Sequence, residues 1–143
     1  MILWCLWCAA QRRAPGDVTI RKAEDLSRRW SSSVTWPIRS ARRALGGPSL
    51  PVARERVESL RQKINATELD AERLEQEMLE ALAEDDPHIG AEAAEVASTA
   101  RKSLAAYVRL TGAARTPAFS VSLLENLIKL SLPPSESDGD RVG

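Results

Sequence analysis

The feature that most constrains this chain is an unbroken row of apolar and small residues between Val57 and Ala81. Val57, Leu60, Ile64, Thr67, Ala71, Leu74, Met78 and Ala81 alternate steps of three and four residues. At about 3.6 residues per turn, that alternation keeps one seam of an α-helix turned toward a neighbour, as in a coiled coil or a bundle. From Pro51 to Ala83 such a helix would be about 50 Å long. Leu69, Leu79 and Leu82 lie off the seam and predict contact with a second neighbour. Thr67 and Ala71 are small for core positions, which permits close approach but argues against a strong autonomous zipper. The long helix therefore needs other helices to cover it.

The rest of the chain supplies them. Its apolar residues are mostly Leu and Ala, and aromatic residues make up only 4% of the sequence. That balance suits helices better than strands, and no run of four or more residues alternates convincingly between turn signals. Residues 1–14 predict a short helix buried nearly all round, broken at Pro15-Gly16-Asp17. Asp17 or Thr19 is a suitable cap for the next helix. There Leu26, Trp30, Val34, Ile38, Ala41 and Leu45 form one stripe ending at Gly46-Gly47-Pro48. Pro37 interrupts its hydrogen-bond ladder, so the segment is either kinked or two helices meeting at Ser31-Ser32-Ser33. Ser49 and Pro51 suit the cap and first turn of the long helix. After the break at Asp85-Asp86-Pro87, an Ala-rich helix over 91–110 uses Ala97, Leu104 and Val108 as core contacts. A last helix over 118–130 carries Phe119, Leu123, Leu124, Leu127 and Ile128. The expected fold is all-α, an irregular helical bundle of about five helices with one long central helix. Residues 1–132 form a single helical domain on this reading, and 133–143 a flexible polar tail.

Net charge is zero, yet the charges are segregated. Residues 1–63 hold 13 Lys/Arg and 5 Asp/Glu, whereas 64–100 hold one Arg and 11 acids. The simpler consequence is that basic and acidic helices are neighbours within one molecule; the functional one is a face for a partner of opposite charge. The apolar start, Met1 to Ala10, is shorter than the roughly 20 residues a membrane span needs. No basic stretch precedes it, so it does not read as a secretory signal, and a cytoplasmic protein with no membrane span is expected.

The chain resembles a family of uncharacterised, small, helical bacterial proteins that carries domain of unknown function number 2390. The resemblance rests on Leu3-Trp4-Cys5-Leu6-Trp7-Cys8-Ala9, on Trp30, Val34 and Pro37-Ile38-Arg39 with Arg42-Arg43-Ala44-Leu45, on the Val57–Leu82 helix, and on Leu123-Leu124-Glu125-Asn126-Leu127. It covers about two thirds of the chain and implies a fold but no mechanism. Members of that family have a further helical segment upstream, and this chain starts inside the run that follows it. The resemblance thus implies an N-terminally shortened domain lacking an upstream helix, through a late recorded start or natural shortening. Ile2, Leu3, Trp4, Leu6 and Trp7 need burial, and without that neighbour they are expected to obtain only part of it.

Four sets of residues carry chemistry worth weighing. Cys5 and Cys8 have the spacing of a redox or metal pair, but there is no βαβ setting and only His88 is at hand as a further nitrogen ligand. Buried structural thiols are expected. His88, beside Asp85 and Asp86, lacks a nucleophile to orient and reads as a solvated loop residue. Glu68, Glu72 and Glu75 share a helix face, with Glu77 and Glu80 on its flank, but the Glu-x-x-His element of di-metal bundles is absent. They read as a solvated face or as salt-bridge partners for the arginines of the second helix. Arg12, Arg13, Arg21, Lys22, Arg28, Arg29, Arg39, Arg42 and Arg43 are the candidate phosphate-binding set, with Trp30 and Trp36 interleaved.

No catalytic, cofactor-binding or metal site is assigned, and no enzyme and no cofactor is expected. The expected role is a non-enzymatic protein-interaction or structural one, with a protein partner or self-association through the long helix. The alternative is a nucleic-acid-associated protein using the basic 12–43 face.

Overall fold

A computed structural model describes residues 1–47, 51–86, 96–112 and 125–129. His88, Ser49, the start of the Ala-rich helix at 91–95, most of the last predicted helix and the 133–143 tail lie outside the described residues. The fold is all-α, an irregular bundle of five α-helices among the described residues, one of them long. They are α1 (Ile2–Ala10), α2 (Asp17–Trp30), α3 (Trp36–Ala44), α4 (Arg54–Glu84) and α5 (Val96–Thr111), and residues 125–129 are also helical. The chain divides into two compact units, one from Met1–Glu24 with Ala81–Gly143, the other Asp25–Glu80.

In the first unit α1 packs against α5. Trp4, Cys5, Leu6, Cys8 and Ala9 of α1 are buried, as are Thr99, Ala100, Ser103 and Leu104 of α5. Small side chains dominate this set, which lets two helices approach closely while Trp4, Leu6 and Leu104 supply the apolar bulk. Of the five large side chains at the start of the chain, Trp4 and Leu6 are buried, Ile2 and Trp7 are half-buried, and Leu3 is 70% exposed. Polar contacts clasp the same unit. The Asp86 carboxylate accepts from the Gly16 N–H at 3.0 Å. The Arg109 guanidinium grips both oxygens of Asp17 at 2.9 and 2.8 Å. Arg101 reaches Glu125 at 3.0 and 3.1 Å. Neither Asp17 nor Thr19 caps α2. The Gly16 carbonyl accepts the first helical bond, from Ile20 at 3.0 Å, and Asp17 lies in the first turn, where the helix dipole favours an anion.

The second unit is an antiparallel hairpin. The end of α2 leads through a π-helical turn, Ser31–Thr35, into α3, and the chain returns along α4. Between the two alternatives the sequence left open, the structure selects a continuous helix widened at one turn. Pro37 offers no N–H, and its ring crowds the carbonyl four residues before it. The wider turn, in which the Trp36 N–H bonds back to the Ser31 carbonyl, makes room without ending the helix. α4 begins at Arg54, with its first turn closed on the Ala53 carbonyl, three residues later than Pro51.

Two helix ends show opposite solutions to one geometric demand. After α1, the Arg12 N–H bonds to the Ala9 carbonyl and the Arg13 N–H to the Cys8 carbonyl, both at 2.8 Å. This double closure needs a left-handed residue, and Arg12 provides it at φ 55° despite its Cβ. After α5 the same role falls to Gly112, at φ 67°, whose N–H bonds to the Val108 carbonyl. Arg12→Gly should raise stability by about 0.5 kcal/mol, the relief of strain exceeding the entropy glycine adds to the unfolded chain. Gly112→Ala should lower it by about 1 kcal/mol. Urea unfolding of the two variants checks this, and equal signs would sink the account.

Candidate functional site

The face of α4 that covers the hairpin is not the predicted seam. Val57, Ile64 and Met78 are half-buried and Ala71 is buried, as expected, but Leu60, Thr67, Leu74 and Ala81 are exposed. In their place Arg61, Glu68, Glu75 and Leu82 complete the covered stripe. Both sets follow the same three-four spacing, so the helix is turned by about 50° from the expected orientation. Of the three off-seam leucines, Leu79 is buried and Leu82 half-buried, but Leu69 is exposed, contrary to the contact predicted for it.

The cause is polar. The Trp30 indole N–H donates to the Ala71 carbonyl at 3.0 Å, and the Ser27 hydroxyl donates to Glu75 at 2.6 Å. Arg39 Nε donates to one oxygen of Glu68 at 2.6 Å, and Arg42 Nε to the other at 2.8 Å. Arg39 also reaches Glu72 through Nη2. Glu68 is only 6% exposed. Hydrogen bonds from Arg42 and then from Arg39 hold its carboxyl below the usual carboxylate range, against the opposing effect of burial. Of the acidic residues singled out in the sequence, Glu68 and Glu72 thus bind arginines of α3, and Glu75 binds the Ser27 hydroxyl of α2. Glu77 remains exposed.

The basic set is dispersed. Arg39 and Arg42 are held by Glu68, Arg28 and Arg29 pair with Asp25 on their own helix, and Arg13 lies 3.9 Å from Glu84. Arg12, Arg21, Lys22 and Arg43 are exposed. Trp30 is half-buried on the hairpin while Trp36 is 69% exposed.

Cys5 and Cys8 are both fully buried. Burial pushes the Cys5 thiol up to about 11 and the Cys8 thiol, with the added effect of Cys5, up to about 12. Thiols so placed stay protonated and out of reach of nucleophilic chemistry. Among the described residues no three His, Cys, Asp or Glu side chains converge as metal ligands, and no helix is long and apolar enough to cross a membrane.

The site that remains is the outer row of α4. Leu60 and Leu74 stand 47% and 49% exposed, and Thr67, midway between them, donates its hydroxyl to the Lys63 carbonyl at 3.0 Å. The polar group of Thr67 is therefore already satisfied within its own helix. Arg56, Lys63, Asp70 and Glu77 border the row and are all exposed. The sequence contained this row but assigned it to the interior.

Two measurements check this geometry. Glu68→Ala should cost about 2 kcal/mol at neutral pH, the scale of hydrogen bonds to a charged group. The folded protein binds a proton at Glu68 less readily than the unfolded chain does, so its contribution is complete above about pH 4.3 and disappears as pH falls through the lower folded value. Urea unfolding at pH 7 and pH 3 should show a smaller deficit at the second. A deficit equal at both would refute the ionic basis. For the thiols, reaction with a disulfide reagent at pH 8 should run at least about 100-fold slower in the folded protein than in the unfolded chain; rapid labelling of the folded form would mean that the buried placement is wrong.

The family described as Protein of unknown function (DUF2390) matches residues 1–79. That span takes in α1, α2, α3 and α4 as far as Leu79, hence the Arg39–Glu68–Arg42 cluster and the outer row through Leu74. No curated protein and no solved structure matches the chain. With more than half its length inside the matched span, the chain belongs to the DUF2390 family of proteins of unknown function.

Proposed function

We propose that this protein is a non-enzymatic interaction module that offers the outer row of α4 to a protein partner. One observation carries the reading: Leu60 and Leu74 each lie about two turns from Thr67, on either side of it, and each is about half exposed, on a helix whose inner face is already committed to polar contacts. Exposed leucines scattered singly need no explanation. Leucines repeated at helical spacing on a long helix form the anchors by which one helix docks on another.

A photo-crosslinking residue placed at Ser59, which borders Leu60, should give a discrete protein adduct in cells. The same residue at Gln76, exposed but on the opposite side of α4, should not. Identical patterns from both positions, an adduct only with nucleic acid, or no adduct from Ser59 would overturn the reading.

A further inference from the structure

We infer that the outer row of α4 is a self-recognition surface, occupied by the same row of a second copy running antiparallel. The inference rests on the interaction reading above and names its partner. It starts from charge. Along the exposed border the order is Arg56, Lys63, Asp70, Glu77, two cations followed by two anions at seven-residue steps. Two parallel copies would set like charge beside like. Two antiparallel copies related by a two-fold axis at Thr67 bring Arg56 within one residue of facing Glu77 and Lys63 within one residue of facing Asp70, each pair twice.

The same axis satisfies the apolar row. Leu60 comes opposite Leu74 and Thr67 opposite its own copy, because both relations are symmetric about residue 67. No other register satisfies both patterns: a shift of one heptad leaves Leu60 facing a small residue, Thr67 or Ala81, and breaks one charge pair. The surface supplies a receptacle as well. A hollow on α4 is lined by Glu55, Arg56, Ser59, Leu60 and Lys63. Four of these, at 56, 59, 60 and 63, have the spacing of the hole that receives one side chain in knobs-into-holes packing. The two-fold axis directs Leu74 of the second copy into it. Thr67 and the neighbouring Ala66 are small, and the Thr67 hydroxyl is bonded within its own helix. The centre of the contact therefore closes without stranding a polar group.

The test is light scattering on the purified full chain, over a concentration series reaching the high micromolar range. Lys63→Glu and Asp70→Lys are each expected to weaken the dimer about 10-fold or more, since each turns two attractive pairs into repulsive ones. The double variant, with the charges exchanged, should return to within about 3-fold of the original. Asp70→Lys also removes the exposed Arg73–Asp70 pair within α4, which contributes little to folding, and unfolding curves will show whether each variant remains folded. A dimer indifferent to these changes and to Leu60→Asp with Leu74→Asp would overturn the interface. A monomer at every concentration, together with a Ser59 adduct to a different protein, would overturn self-recognition and leave the interaction reading standing. A monomer with no adduct would bring down both.

Discussion

Glu68 holds the second unit in register. Its carboxylate is nearly buried and receives one hydrogen bond from Arg39 on one oxygen and one from Arg42 on the other. A planar guanidinium donates in fixed directions, so a carboxylate caught between two of them has little freedom to slide. Sliding α4 by one residue would rotate Glu68 by about 100° and strand a desolvated charge, at a cost far above that of displacing a leucine. The Trp30 bond to the Ala71 carbonyl and the Ser27 bond to Glu75 repeat the restraint at two further levels. Replacing such a cluster by leucines can leave a pair of helices just as stable. What would be lost is the choice of face.

That choice has consequences along the border of the covered face. α4 carries more apolar and small positions than one neighbour can cover. If the packing had been decided by apolar area alone, Val57, Leu60, Ile64 and Leu74 would have gone inward together. The ionic cluster brings the 61, 68, 75 set inward instead, and Leu60, Thr67 and Leu74 emerge on the opposite border as a row of their own. A polar interior seam and an apolar outer row are thus two results of a single rotation, and neither can be altered alone. Moving Leu60 inside would break the contacts of Glu68.

This also explains how much could be read in advance. The helices, their breaks at Pro15-Gly16 and Gly46-Gly47, and the attraction of an acidic helix for a basic one were legible, because propensity, punctuation and charge act locally or between whole segments. The orientation of α4 was not. Rows through 60, 67, 74 and through 61, 68, 75 obey the same spacing, and hydrophobicity favours the first. The deciding information lay in Arg39 and Arg42, about 30 residues away, and in a hydrogen bond to the Ala71 main chain that no side-chain pattern announces. The π-helical turn was half legible. Pro37 marks the disturbance, but whether a helix breaks or widens depends on what holds its two arms, here Trp30 and Arg39. Arg12 in a left-handed conformation left no trace at all, since the sequence offers an arginine where a glycine would have signalled the turn.

The two units hold together by different physics, and this bears on what each can present. Around α1 and α5 the cohesion is close packing of Cys5, Cys8, Ala9, Ala100 and Ser103 with Trp4 and Leu104, and the ion pairs Arg109–Asp17 and Arg101–Glu125 sit outside it. Exposed pairs of that kind contribute little and are screened by salt, so that unit depends on buried area. The hairpin depends on long polar side chains that span the gap between helices, and Glu68 is shielded where Asp17 and Glu125 are not. Its apolar side chains are correspondingly less committed to an interior. Leu60, Leu69 and Leu74 remain at about half exposure because arginine and glutamate already perform the task that leucines perform in an ordinary bundle. A hairpin closed by ions can therefore keep leucines on its surface and still fold in one register, which a hairpin closed by leucines could not do without risking the wrong face.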